Sequence, residues 1–218
     1  MIPLRSSERT YSTATVTIVL ILANVLVFLY ELMLPDYALN QLIVAYGVVP
    51  YRLHLYSLFT SMFIHGGFLH ILGNMWFLWI FGKGIEDLLG HAKYLFFYLA
   101  CGVAAGIVYV LTNADSGVPT VGASGAIAGV MGAYLIKFPR ARIVTLILIF
   151  FFITTIDVPA ALLLLYWFAI QFFNGIAPVG YSQISNGNVA WFAHVGGFLA
   201  GMGLISILPT RQRYRTWY

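Results

Sequence analysis

Ser124, in Gly122-Ala123-Ser124-Gly125, and His194, in Ala193-His194-Val195-Gly196-Gly197, place a hydroxyl and an imidazole inside otherwise apolar stretches. A serine hydroxyl is a weak nucleophile until a base removes its proton. A neutral imidazole within hydrogen-bond reach can take that proton and later deliver it to a leaving amine. A third segment, His65-Gly66-Gly67-Phe68-Leu69-His70-Ile71-Leu72-Gly73-Asn74, adds two more imidazoles and a carboxamide. Attack on a carbonyl creates an oxyanion that needs donors. His70 and Asn74 can supply them, as can the backbone N–H of Ser124 if that residue opens a helix and lacks an intrahelical partner. Hydrolysis also needs water, and His65, Ser61 and the Gly66-Gly67 pair would line its path. No carboxylate is placed to make a triad: Asp157 and Glu86 fall beside the basic clusters, and Asp115 lies in a loop at the other end. The chemistry implied is acyl transfer by a Ser124–His194 dyad.

The elements that must position these groups are membrane helices. The chain has 218 residues, 61% hydrophobic and only 8% charged, with a mean hydropathy of +0.90, whereas a soluble domain carries about a quarter of its residues as charges. Lipid is therefore a partner of this chain. A helical span takes roughly 20 apolar residues. The apolar runs predict spans over about Ala14–Leu34, Met62–Phe81, Tyr94–Leu111, Ala123–Ile136, Val158–Phe173 and Val189–Leu208. The first follows a polar, charged start and reads as a retained helix, not a signal peptide. The segment Pro35 to Ser61 has the composition of an interfacial connection, and Ile143 to Ile156, too short to span, reads as re-entrant or interfacial.

The net charge of +4 does not point to nucleic acid. With six spans and a cytoplasmic N-terminus, Arg5, Arg9, Lys83, Lys93, Lys137, Arg140, Arg142, Arg211, Arg213 and Arg215 all fall inside and only Arg52 outside, as the positive-inside tendency requires. The expected fold is all-α: one polytopic bundle of six transmembrane helices over 14–208, with cytoplasmic tails 1–13 and 209–218. Cys101, the single cysteine, reads as a small packing residue, and Asn24 and Gln171 read as interhelical hydrogen-bonding residues.

Depth brings the polar residues together. At 1.5 Å per helical residue, Ser124 lies about 20 Å from Lys137, His70 about 20 Å from Lys83, and His194 about 22 Å from Pro209. All three then sit roughly 10 Å below the outer surface of a 30 Å hydrocarbon core, with Asn74 one turn deeper on the face of His70. Gly125 and Gly129, like Gly197 and Gly201, have GxxxG spacing, which lets two helix backbones approach closely in lipid. If those faces meet, Ser124 and His194 are brought together at the top of the contact, with Gly122, Gly125 and Gly197 supporting the site.

Each feature alone has a plainer reading. Small residues pack membrane helices, and a buried histidine or asparagine often only bonds a neighbouring helix. The plainer account has to explain several such features at one depth on three helices. A zinc membrane protease would need His-Glu-x-x-His, but His65 and His70 are five apart with no glutamate between them. An aspartyl type needs two intramembrane aspartates, and a transporter would show interrupted helices in paired halves.

The quoted segments resemble, in order and spacing, the HGxxHxxxN, GxSG and AHxxGxxxG motifs of the rhomboid family, over about Leu58 to Leu208. The resemblance implies a serine endopeptidase with Ser124 as nucleophile, His194 as base and His70 and Asn74 at the oxyanion site. It implies no metal or cofactor. The substrates it implies are single-pass membrane proteins cut near or within a labile helix, and the setting a bacterial inner membrane with the site opening outward. The alternative is an inactive relative that binds membrane proteins, though such relatives usually lose the serine or the histidine. Two departures stand out. Tyr56 and Ser57 occupy the place of a Trp-Arg pair, and Ala128 replaces an aromatic found in some members under the histidine ring, leaving Tyr134 or Trp191 to support His194. Glu86 matches a glutamate common in the family and reads as structural. The fifth span offers bulky lipid-facing candidates, Leu165, Trp167, Phe168, Phe172 and Phe173, for a lateral gate capped by the loop 174–188.

Overall fold

The computed structural model describes residues 2–149, 152–176 and 190–211. Its architecture is mostly helical. Helix α1 (Thr15–Leu32) leads into α2 (Asp36–Tyr46), the short α3 (Ser57–Thr60), and then α4 (Phe68–Leu89) and α5 (His91–Thr112). Helices α6 (Ser124–Lys137), α7 (Ala160–Ile176) and α8 (Trp191–Ile207) complete the bundle. Of these, α1, α4 and α5 are long and apolar enough to cross a membrane, and α6, α7 and α8 are shorter apolar helices. The expected last span begins at Val189, which, with Arg213 and Arg215, lies outside the described residues.

One part of the expectation is corrected. The stretch read as a re-entrant or interfacial segment within an all-α bundle is extended: β2 (Arg142–Ile149) and β3 (Phe152–Pro159) pair antiparallel. Strand β1 (Ile2–Ser6) pairs along the other edge of β2, giving the order β1-β2-β3. Hence the residues ahead of α1 do not hang free as a tail. They are tied to β2 by the ladder, to Trp76 through its indole N–H donating to the Pro3 carbonyl at 2.6 Å, and to Tyr134 through Ser6. The physical reason is the side chains. Ile143, Val144, Thr145, Ile147, Ile153, Thr154, Thr155 and Ile156 are β-branched, which favours a pleated strand over a helix.

Helix α1 has no side-chain cap of its own, so its first N–H groups need partners from elsewhere. The Glu86 carboxylate, at the far end of α4, accepts from Val16 N and Thr17 N at 2.8 Å, from the Thr17 hydroxyl at 2.7 Å, and pairs with His91 at 2.7 Å. Asp87 accepts from the backbone and hydroxyl of Ser12. Glu86 thus satisfies the start of α1, where the helix dipole also favours negative charge, and Asp87 holds the chain just ahead of it. This is the structural role expected of Glu86. Asn24, by contrast, bonds within its own helix, to the Leu20 carbonyl at 2.7 Å, and does not bridge helices.

The core seam is the contact of α6 with α8, and its glycines explain it. A Cβ on Gly197 would collide with the Gly125 carbonyl, one on Gly201 with the Gly129 backbone, and one on Gly132 with the Phe198 carbonyl. The two GxxxG faces meet, as their spacing predicts. Behind α6, Cys101 of α5 occupies the space a Cβ on Gly129 would need, which makes it the packing residue its surroundings suggested.

Candidate active site

Helix α6 begins at Ser124, and the chain before it is held on both sides. Val48 and Thr120 exchange backbone hydrogen bonds at 3.0 and 2.9 Å, and Gly122 N donates to the Ser61 carbonyl at 2.8 Å. Gly122 has φ +122°, a conformation that side chains rarely adopt. A Cβ there would also stand 2.7 Å from the His70 ring and 3.7 Å from the Ser124 hydroxyl oxygen. Glycine at this position lets the imidazole of α4 come up against the backbone just before the serine.

The seam of α6 and α8 brings the predicted pair together. His194 Nε2 lies 2.8 Å from Ser124 Oγ, within the range for a base and its nucleophile. The other ring nitrogen, Nδ1, lies 2.6 Å from Gln171 Oε1 on α7. The His194 ring is flanked by Trp167 at 5.8 Å and by Trp191 edge-on at 6.5 Å between centroids. Tyr134 does not support it. That side chain is fully buried elsewhere, between Phe81 and Phe138.

His70 Nδ1 accepts from Gly66 N at 3.4 Å. Used as an acceptor, that nitrogen leaves the ring proton on Nε2, the atom packed on the Gly122 backbone. Asn74 is buried and gives one amide proton to the His70 carbonyl at 2.9 Å, with the second proton still to donate. His70, Asn74, Ser124, Gln171 and His194 share the wall of one cavity of about 810 Å³ between α4, α6, α7 and α8.

Other expected residues fall differently. His65 does not line the cavity; Gly66 does. The His65 ring is buried, edge-on to His70 at 5.2 Å. Gly125 and Gly197 serve the seam, packing against Ala105 and each other. Tyr56 bonds the Ala45 carbonyl at 3.0 Å and stacks on His54, while Ser57 bonds the His54 carbonyl. On α7, Leu165, Phe172 and Phe173 are exposed as expected, but Trp167 and Phe168 turn inward onto Phe198 of α8. Of the loop 174–188, residues 177–188 lie outside the described residues.

Glu31 also bears on the site, though the sequence patterns above do not single it out. Glu31, buried at the end of α1, accepts the His65 backbone N–H on both carboxylate oxygens at 3.1 and 3.2 Å, pinning the segment that leads to His70. An acid inside an apolar run is a costly choice and was the available signal. Gln171 is the interhelical hydrogen-bonding residue expected, and its partner on α8 is His194.

Residues 52–211 match the family model described as Rhomboid domain. RHOMBOID-like protein 5 of Arabidopsis thaliana is 30% identical over 159 residues, 73% of this chain and 46% of that protein. RHOMBOID-like protein 1 of the same plant is 30% identical over 168 residues, 77% of this chain and 38% of that protein. The human Presenilin-associated rhomboid-like protein, mitochondrial, is 34% identical over 96 residues, 43% of this chain and 25% of that protein. The chain spans less than half the length of these curated relatives.

Proposed function

The chain belongs to the Rhomboid family of integral multi-pass membrane proteins, and from that premise we propose that it is an intramembrane serine endopeptidase working through a Ser124–His194 dyad. The observation that carries the reading is the 2.8 Å contact of His194 Nε2 with Ser124 Oγ at the wall of a cavity that also holds His70 and Asn74.

In this mechanism Ser124 Oγ attacks the scissile carbonyl carbon while its proton passes to His194 Nε2. The carbonyl oxygen becomes an oxyanion facing the Ser124 N–H, His70 Nε2–H and the free amide proton of Asn74. Collapse expels the amine, which takes the proton from His194, and leaves an acyl-enzyme. Water, deprotonated by the same imidazole, then releases Ser124. Each oxyanion donor is worth about 3 kcal/mol in the transition state, or roughly two powers of ten in rate.

The substrates are single-pass membrane proteins with a labile helix. Such a helix reaches the cavity from the side of α7, and its local unwinding exposes the carbonyl. The protein spans a bacterial inner membrane six times with both ends in the cytoplasm, and the cavity opens outward. The short α6 suits this placement: it starts part-way down the membrane, and the irregular backbone before it is allowed at that depth because it lines a cavity. No cofactor enters the reaction.

A fluorophosphonate probe tests the dyad directly. Wild-type protein in liposomes becomes covalently labelled at Ser124, while Ser124→Ala and His194→Ala do not. Labelling of Ser124→Ala at the wild-type rate would rule out Ser124 as the nucleophile.

A further inference from the structure

A serine–histidine pair works only if the imidazole presents a bare nitrogen to the hydroxyl. A neutral ring has one protonated and one bare nitrogen, and the two arrangements are close in energy unless a neighbour chooses between them. In serine proteases with a triad, a carboxylate makes that choice by accepting the Nδ1 proton. Among the described residues, no carboxylate is hydrogen-bonded to His194, and Ala128 leaves its ring without an aromatic platform from α6.

We propose that Gln171 of α7 is the positioning residue that sets the His194 tautomer, standing where a triad would have its acid. The inference rests on the dyad reading above. Three observations carry it. Gln171 Oε1 lies 2.6 Å from Nδ1, where a carboxamide oxygen accepts a proton from Nδ1 and favours the tautomer with Nε2 bare toward Ser124 at 2.8 Å. The glutamine is only 6% exposed, on a helix whose other core-packed residues are apolar: Ala160, Leu163, Leu164, Trp167 and Phe168. Lastly, Trp167, one turn earlier on the same helix, lies against the same imidazole, so α7 fixes both the tilt of the ring and its proton.

A neutral carboxamide has a consequence that a carboxylate would not. When His194 takes the Ser124 proton and becomes imidazolium, Gln171 still accepts from Nδ1 without itself ionising. The bond therefore orients the base and offers only dipolar stabilisation of the charged ring. It also places a requirement for catalysis on α7, a helix that contributes neither the nucleophile nor the base.

The test uses the full chain in liposomes, with Gln171→Met to remove the acceptor at similar volume and Gln171→Glu to keep an acceptor. Two readouts are taken: cleavage kinetics on a labile single-pass reporter, and the ¹⁵N shifts of the His194 ring, which need no substrate. In wild type the ring reads as the Nδ1–H tautomer. In Gln171→Met it becomes a mixture, kcat falls roughly 10- to 100-fold, as expected for losing one orienting hydrogen bond, and KM stays within about threefold. Gln171→Glu restores the Nδ1–H signal and most of kcat, and adds a limb to the pH–rate profile as its carboxyl titrates. An unchanged tautomer and kcat in Gln171→Met would overturn the proposal. So would a kcat loss with the Nδ1–H signal intact, or a loss that Gln171→Glu fails to rescue. Ser124→Ala separates the two claims: if it still cleaves, the dyad reading fails, whereas the ring signal answers for Gln171 on its own.

Discussion

The seam between α6 and α8 and the flank formed by α7 hold the same histidine in opposite ways. On the seam, backbone meets backbone: Gly125 and Gly129 face Gly197 and Gly201 with no room for a Cβ, and Ser124 and His194 ride at its upper end. On the flank, contact is made through large rings, Trp167 and Phe168 against Phe198 and His194, while Tyr166 and Phe173 face outward. In lipid, apolar surface gives no net drive for two helices to associate, so close packing and polar bonds decide which contacts are rigid. The distance between Ser124 and His194 is thereby set by a contact of backbone on backbone. The orientation proposed for the His194 ring depends on α7, which meets α8 through large side chains.

Substitutions on the two sides should therefore differ in kind. The largest effect is expected from Gly201→Ala, whose new methyl meets the Gly129 backbone and cannot escape by changing rotamer. A loss of about 3 kcal/mol or more, with disappearance of cleavage, is the expected result in a thermal unfolding and activity assay. Wild-type stability in that variant would show that the seam is not rigid. Next comes Trp167→Ala on the flank. Stability should fall by only about 1–2 kcal/mol, below the core value because part of the ring faces the cavity, while kcat falls several-fold as the His194 ring gains freedom. Equal losses of stability from Gly201→Ala and Trp167→Ala would erase the contrast. The smallest effect belongs to Phe173→Ala, at a ring 64% exposed. Its melting behaviour should stay within about 0.5 kcal/mol of wild type, and a larger change would place an unseen partner on the outer face of α7.

What the sequence made legible follows the same division. The meeting of α6 with α8 could be read in advance because glycine spacing and intramembrane polar residues are strong, local signals. Ser124, His194, His70 and Asn74 all belong to that kind. The β2–β3 hairpin was hidden because a continuous apolar run has no periodicity to separate strand from helix; its β-branched residues were the evidence that length outweighed. Strand β1 was hidden for a different reason: its pairing with β2 joins residues far apart in the chain, which no local pattern encodes. Gln171 was visible as a polar residue in an apolar helix, yet nothing in its own surroundings told which ring it would meet. The fifth helix carries no spacing motif to fix its rotation against α8, and Trp167 and Phe168 were turned to lipid for the same lack.

The central claim is that Ser124 and His194 together cut a peptide bond. It is tested most directly by reconstituting the wild-type chain and Ser124→Ala in liposomes with a labile single-pass reporter and following the reporter's fragments. The account predicts that the wild type releases two fragments and that the alanine variant releases none while still inserting and melting like the wild type. Equal cleavage by both proteins would contradict it.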